Sequence, residues 1–168
     1  MNYDFYLAKF TNAAAKLNKQ TLSKKKLEAS VGVVLESVYL KLCKKEWSNN
    51  SADPLNAKSR IFFSIWINEK TIQEQKIFYN IHALKLRELK NYSIASRAFA
   101  DEFRKRFKQY HHNWENVSVN FGPLTLMEGW QIFDVEKLEE TIMHLANNFL
   151  AIEFLIDETL QSFQQKAI

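Results

Sequence analysis

The chain has 168 residues with a formal net charge of +4 at pH 7, and apolar residues make up 46% of it. This length and apolar content are enough for a buried core, which excludes general disorder. One cysteine excludes an intramolecular disulfide and a cysteine-based zinc site, and three scattered glycines exclude a Walker-type phosphate loop, a dinucleotide fingerprint and a Gly-x-Ser-x-Gly nucleophile elbow.

The start of the chain lacks the basic segment and the apolar run of a signal peptide. No stretch approaches the roughly 18 consecutive apolar residues that a membrane span needs. We therefore expect a cytoplasmic protein with no membrane segment, and no motif points to a bound cofactor.

Two helices are predicted at the N-terminus. Over residues 2–17, apolar side chains recur at steps of four and three, which is typical of one buried helix face. Residues 23–47 show a similar stripe at Leu27, Val31, Val34, Val38 and Leu42. These segments predict a helical N-terminal layer over residues 1–47, and the polar stretch 47–59 is expected to be the main loop.

Strand character begins at Arg60, where apolar residues alternate along Ile61–Ile67. A second alternating segment follows over residues 76–86 after a short polar connection. Two such segments predict an antiparallel hairpin.

A helix is predicted over residues 93–110. A second hairpin is expected from residues 117–121 and 124–134, with a turn at Gly122–Pro123 and a bulge at Gly129. The fold class predicted for the single domain 1–168 is α+β. Its elements follow the order α-α-β-β-α-β-β-α, with a body over residues 60–168 and a four-stranded antiparallel sheet covered by helices.

The last predicted helix covers residues 135–163. At 1.5 Å per residue it would be about 44 Å long, and the whole domain is only about 40 Å across. The helix must therefore bend, with 147–148 as one position for the bend, or pack on another subunit. A second apolar flank along it favours self-association, so a homodimer through the C-terminal helix is predicted.

One face of the predicted sheet combines aromatic rings with hydrogen-bonding groups, as a ligand-binding or base-stacking surface does. The residues on the other side of each strand are expected to fill the core, which makes this face the candidate binding site. The alternative is that the N-terminal helices cover it. Its predicted residues are Phe62, Trp66, Phe78, Asn80, His82 and Asn120.

The leading hypothesis is a non-enzymatic binding or interaction module without a metal site. A first alternative is nucleic-acid binding through the basic segment 85–108, whose candidate phosphate-binding residues are Arg97, Arg104, Lys105 and Lys108. A second alternative is a magnesium-dependent nuclease, because an acid followed by Glu-x-Lys is common in such enzymes. Its candidate residues are Asp53, Glu88 and Lys90.

Overall fold

The computed structural model describes residues 1–165, in which five antiparallel strands form one sheet. The strands follow one another across the sheet in chain order, which makes it a meander. The predicted α+β class is confirmed, but the predicted four-stranded sheet and order of elements are wrong. The strands are β1 (Leu27–Val34), β2 (Ser37–Lys44), β3 (Arg60–Ile67), β4 (Lys76–Leu84) and β5 (Thr125–Ile132).

Helices precede, interrupt and follow the sheet. The first predicted helix is present, and the side chain of Asn2 caps it by accepting the backbone N–H of Phe5 at 3.1 Å. The helices are α1 (Tyr3–Ala15), α2 (Lys19–Lys24), α3 (Glu69–Gln73), α4 (Ser96–Phe107), α5 (Leu138–Leu150) and α6 (Phe154–Gln161).

The predicted helix over residues 23–47, and with it the helical N-terminal layer over 1–47, is wrong. Most of this segment forms β1 and β2, which pair from Leu27–Lys44 to Val34–Ser37. The apolar residues fit a period of two as well as a helical one, since buried and partly exposed residues alternate at the start of β2. The many β-branched valines favour the strand.

A two-residue turn joins β1 to β2. Its residues, Leu35 and Glu36, have φ angles of 46° and 65°, as a type I′ turn requires. Such turns usually contain asparagine or glycine, and this one contains neither. The sequence therefore carries no signal for the reversal.

The first predicted hairpin is present as β3 and β4. Phe63 pairs with Ile81, and Ser64 pairs with Asn80. The polar connection between the strands contains the short helix α3, which begins with a capping box between Asn68 and Thr71.

The second predicted hairpin is wrong, because residues 117–121 form no regular strand. Only Ser118 bridges to Glu128 of β5. The register shift lies between Ile81 and His82, opposite the start of β5, and not at Gly129. The ring of Tyr79 lies over Gly129 instead: a Cβ added to this glycine would come within 2.2 Å of the Tyr79 hydroxyl.

The C-terminal helix breaks between α5 and α6, at residues 151–153. Most of its second apolar flank is buried within the chain, since Leu150 and Leu155 belong to the core. Phe154 stays partly exposed. The apolar surface that suggested a homodimer is therefore largely covered by the chain itself, and the homodimer stays a prediction.

The helices pack on one face of the sheet. Phe149 of α5 stacks on Phe63 of β3, with ring centroids 4.4 Å apart, and α1 lies against β1, β2 and α5. Trp114 follows α4 and packs on Phe63 and Tyr79. Within residues 1–165, the buried side chains of α1, α4, α5 and α6 contribute to this one core.

Across the described part of the chain, no helix combines the length and the apolar character needed to cross a bilayer.

Candidate functional site

The face of the sheet that points away from the helices carries aromatic, cationic and hydrogen-bonding side chains. Successive residues of a strand point to opposite faces, so the neighbours of core residues make up this surface. Most of its side chains are half-buried, because they pack against one another. We call it the open face and define it by Tyr39, Lys41, Arg60, Phe62, Ser64, Trp66, Lys76, Phe78, Asn80, His82, Glu128 and Trp130.

Four aromatic residues lie side by side across strands β2 to β5. Tyr39 pairs with Trp66, Trp66 with Phe78, and Phe78 with Trp130. The rings of Trp66 and Phe78 stack with centroids 4.9 Å apart. The Nζ atom of Lys76 lies 4.3 Å from the ring centroid of Trp130. We call these four residues the aromatic row.

A row of polar residues runs parallel to the aromatic row, at a distance of two residues on each strand. Lys41 pairs with Ser64, Ser64 with Asn80, and Asn80 with Glu128. Asn80 is only 3% exposed, and its Oδ1 atom has no hydrogen-bond partner within the described residues. Its Nδ2 donates to Glu128 Oε2 at 3.5 Å, which is a long contact. The centre of the open face therefore contains an acceptor without a donor.

The charged groups of Lys41 and Arg60 both lie close to the aromatic ring of Phe62, next to the polar row. The Nζ atom of Lys41 lies 5.1 Å from the ring centroid of Phe62, and the guanidinium carbon of Arg60 lies 5.0 Å from it. Among the ion pairs within residues 1–165, neither cation has an acidic partner. The Nε atom of Arg60 is also buried and has no hydrogen-bond partner in the described part of the chain. We call Lys41, Arg60 and Phe62 the cationic corner.

A loop limits the open face beside the cationic corner. The Nη1 group of Arg60 donates to the carbonyl oxygen of Ala57, and the preceding 3-10 turn Pro54–Asn56 lies against β2 and β3.

Cys43 is fully buried near the end of β2. Burial raises the pKa of its thiol to about 12, so the thiol is not reactive at neutral pH.

His82 lies between the cationic corner and the edge of β5. Its ring centroid is 5.4 Å from that of Phe62. Its Nδ1 atom lies 3.3 Å from the carbonyl oxygen of Leu124 and 3.2 Å from Thr125 Oγ1. Because a carbonyl can only accept, the contact with Leu124 fits the tautomer in which Nδ1 carries the proton. This tautomer leaves Nε2 as an acceptor.

The electrostatics of the open face disfavour the charged forms of its own residues. Burial raises the pKa of Glu128, and the hydrogen bond from Asn80 only partly opposes this. Burial lowers the pKa of Lys41, and the charge of Arg60 lowers it further. Burial also lowers the pKa of His82, and so do Lys41 and Arg60, against the effect of the Leu124 hydrogen bond. Within residues 1–165, the positive charges of Lys41 and Arg60 lack the counter-charge that would stabilise them.

The structure brings together five of the six residues predicted for a binding face. Phe62 and Trp66 lie on β3, and Phe78, Asn80 and His82 lie on β4. Asn120 does not join them as a strand residue. It is exposed in the segment before β5, and its backbone N–H donates to Ser118 Oγ.

Several open-face residues were missed in the sequence. Tyr39 and Lys41 lie in the segment predicted as helix, although the alternation of buried Val38, Leu40 and Leu42 with these two residues could have revealed a strand. Glu128 and Trp130 lie in the predicted return strand, but their face depends on the register shift near His82.

The predicted nucleic-acid-binding residues of α4 do not form one free basic surface. Arg104 is occupied by the chain itself, because its guanidinium donates to four backbone carbonyls between Phe121 and Leu126. Lys105 lies 4.0 Å from Glu102. Arg97 and Lys108 are exposed.

Asp53 and Glu88, the two carboxylates of the nuclease hypothesis, each bind other side chains of the protein. Asp53 accepts hydrogen bonds from Asn56, Glu88 pairs with Lys58 at 3.5 Å, and Lys90 is exposed. Within residues 1–165, no group of three or more histidine, cysteine, aspartate or glutamate side chains is placed to hold a metal ion. The geometry therefore gives this hypothesis no support.

Comparison of the chain with protein-family models, with curated proteins and with solved structures finds no match. Function therefore has to be inferred from the arrangement of the side chains.

Proposed function

We propose that this protein is a non-enzymatic binding module and that its ligand site is the open face. The observation that carries the proposal is the buried, unpartnered Oδ1 atom of Asn80 at the centre of the face. A buried acceptor without a donor costs about 1–3 kcal/mol of folding stability. A ligand that donates a hydrogen bond to Asn80 would recover this free energy on binding.

The surroundings of Asn80 fit a ligand site. In the polar row Asn80 lies between Ser64, which has a short side chain, and Glu128, whose side chain is long and flexible, so a ligand can displace the end of Glu128 and reach the amide. The aromatic row supplies apolar area at one side, which is the usual composition of a site with a few polar groups among aromatic rings. A sheet face with only a structural role would not need this combination.

A panel of three probe classes tests the proposal. The probes are single-stranded oligonucleotides, a neutral chitin hexasaccharide and a glutamate-rich peptide, each titrated while tryptophan fluorescence is recorded. We expect at least one probe to bind, and we expect Trp66→Ala to weaken that binding at least tenfold. Trp66 is half-buried and not part of the core, so the variant should fold, which circular dichroism checks.

Phe5→Ala is the matched control. Phe5 is an aromatic residue of α1 that is 39% exposed and also lies near a lysine, with Lys9 Nζ 5.5 Å from its ring centroid. This control should bind like the unmodified protein. If no probe binds, or if Phe5→Ala and Trp66→Ala weaken binding equally, the open face is not the ligand site.

A further inference from the structure

We propose that the ligand of the open face is a single-stranded nucleic acid, with phosphate held at the cationic corner and bases stacked on the aromatic row. This inference rests on the proposed function and adds the chemical class of the ligand. Three independent features of the open face lead to it: unpaired cations, a line of aromatic rings, and hydrogen-bonding groups between the two.

The cationic corner lacks an anion. Lys41 and Arg60 both approach the ring of Phe62, and neither forms an ion pair within the described residues. Two neighbouring like charges repel each other, and a phosphate between them would remove the repulsion. The Nε–H of Arg60, which is buried and has no partner among the described residues, would become a donor for a phosphate oxygen once the side chain turns outward.

The aromatic row offers a stacking surface next to this anion site. Along β3, Trp66 lies four residues beyond Phe62, which corresponds to about 13 Å. An extended nucleic acid carries phosphates and planar bases at this scale, and stacking of bases on aromatic side chains is the usual way in which single strands bind without a duplex. Lys76 beside Trp130 supplies a third cation at the far side of the row, and this lysine also pairs with Glu74 at 3.6 Å.

The polar row lies between the phosphate site and the stacking site, where base edges would be. Ser64 offers a hydroxyl, Asn80 offers an amide with a free acceptor, and Glu128 offers a carboxylate. Unstacked bases expose donors and acceptors on their edges, whereas those of a duplex are already paired. The arrangement therefore favours single strands over duplexes.

Other ligand classes use only part of the open face. A neutral oligosaccharide would leave Lys41 and Arg60 without an anion. An acidic peptide would provide carboxylates but no series of planar groups for the aromatic row. Both are outcomes that the following experiment can detect.

The test measures fluorescence anisotropy of labelled RNA and DNA of about twelve nucleotides, a length within the range that one small domain covers. Each is compared with its own duplex. We expect single strands to bind at least tenfold more tightly than duplexes. If three phosphates are contacted, affinity should fall about twentyfold between 50 and 200 mM salt. RNA binding more tightly than DNA would indicate a contact with the ribose hydroxyl.

Variants assign the binding to the open face. Trp66→Ala, and separately Lys41→Gln combined with Arg60→Gln, should each weaken binding at least tenfold, while Trp66→Phe should restore most of it. The matched control is Arg97→Gln combined with Lys105→Gln, which removes two exposed cations from α4 and should leave binding within about twofold. Thermal unfolding shows whether each variant is folded.

Each outcome decides a different claim. Equal binding of duplexes, or loss of binding in the α4 control and not in the open-face variants, overturns the nucleic-acid inference. Binding of the hexasaccharide or the acidic peptide alone, with sensitivity to Trp66→Ala, also overturns it but leaves the open face as a binding site. If no probe binds, both proposals are wrong.

Discussion

The two faces of the sheet are built from alternate residues of the same strands, but their charged side chains differ in whether they have partners of opposite charge. On the core face, Lys44 pairs with Glu153 and Asp157, and Phe63 stacks on Phe149. On the open face, Lys41 lies only three residues away on the same strand and has no acidic partner among residues 1–165. Among the described residues, the lysine on the core face is therefore paired with carboxylates and the lysine on the open face is not.

The difference shows which residues serve folding and which are available for a ligand. A folded chain normally pairs its buried charges and hydrogen-bonding groups, because unpaired ones reduce stability. On the open face, the buried Asn80 Oδ1 and Arg60 Nε atoms lack such partners among residues 1–165 and belong to the same face as the unpaired Lys41, so this group of residues is informative. Comparing a residue from each face in matched pairs of variants tests this distinction.

The largest difference is expected between two aromatic residues of β3. Phe63 is fully buried, so Phe63→Ala should reduce the free energy of unfolding by about 3–5 kcal/mol. Trp66→Ala removes a half-buried ring and should cost about 1 kcal/mol. Urea denaturation measures both values. Similar losses for the two variants would show that the open face also contributes to the core.

The next difference concerns two lysines of β2. Lys44→Met should reduce the free energy of unfolding by about 2–3 kcal/mol, because it leaves the buried carboxylate of Glu153 with fewer partners. We place this below the full effect of breaking a buried pair because Asp157 is partly exposed. Lys41→Met removes an unpaired cation and should change stability by less than about 0.5 kcal/mol.

The same two lysines should titrate differently. Burial would lower the pKa of Lys44, but its hydrogen bonds to Asp157 and Glu153 outweigh that effect and raise it. A raised lysine pKa stabilises the fold below the ordinary value of 10.5, and this contribution is lost as the pH rises through the folded-state pKa. The pKa of Lys41 is lowered. NMR titration of the two Nζ groups should therefore give Lys44 the higher value, and the reverse order would contradict the pairing described above.

A smaller effect is expected from two glycines that face tyrosines across the sheet. In Gly129→Ala, the new methyl group would collide with Tyr79, whose hydroxyl is fixed by a 2.6 Å hydrogen bond to the carbonyl of Glu115. We expect a loss of about 1–3 kcal/mol. In Gly32→Ala, the methyl group would meet the end of Tyr39, which lies on the open face and can turn away. This variant should lose less than about 1 kcal/mol in chemical denaturation, and an equal loss would mean that Tyr39 is held as firmly as Tyr79.

The smallest effect is a pH dependence from His82. Because its folded-state pKa is lowered, the fold disfavours the charged imidazole. Stability should therefore decrease as the pH falls below the ordinary value of 6.5 toward the folded-state pKa. His82→Gln should flatten this part of the stability curve, whereas His144→Gln serves as the control. A phosphate bound at the cationic corner should raise the NMR-measured pKa of His82.

The central hairpin could be predicted because the alternation of apolar residues in its two strands fits a strand and not a helix. Residues 60–67 alternate clearly, and so do those of β4, so the central hairpin and five residues of the open face followed from periodicity. The strands β1 and β2 were missed because Val31, Val34 and Val38 fit both a helix and a strand, and because the turn at Leu35 and Glu36 contains no residue typical of a turn.

The rest of the open face depends on contacts between distant segments. The position of Glu128 and Trp130 follows from a register shift in the pairing of β4 with β5, and that shift has no local sequence signal. Residues 117–121 alternate as a strand would, but four carbonyls in the adjoining segment 121–126 bond to Arg104, and only Ser118 joins the sheet. Tertiary contacts overrode the local pattern at both places.

The meander order of the strands has a consequence for how the protein folds. Three of the four strand pairings join segments whose connections are shorter than the one between β4 and β5, so they can form earlier with less loss of chain entropy. The pairing of β4 with β5 must first close the long connection over residues 85–124, which contains α4. We expect β5 to dock late, and amide hydrogen exchange should then show its hydrogen bonds opening before those of β3.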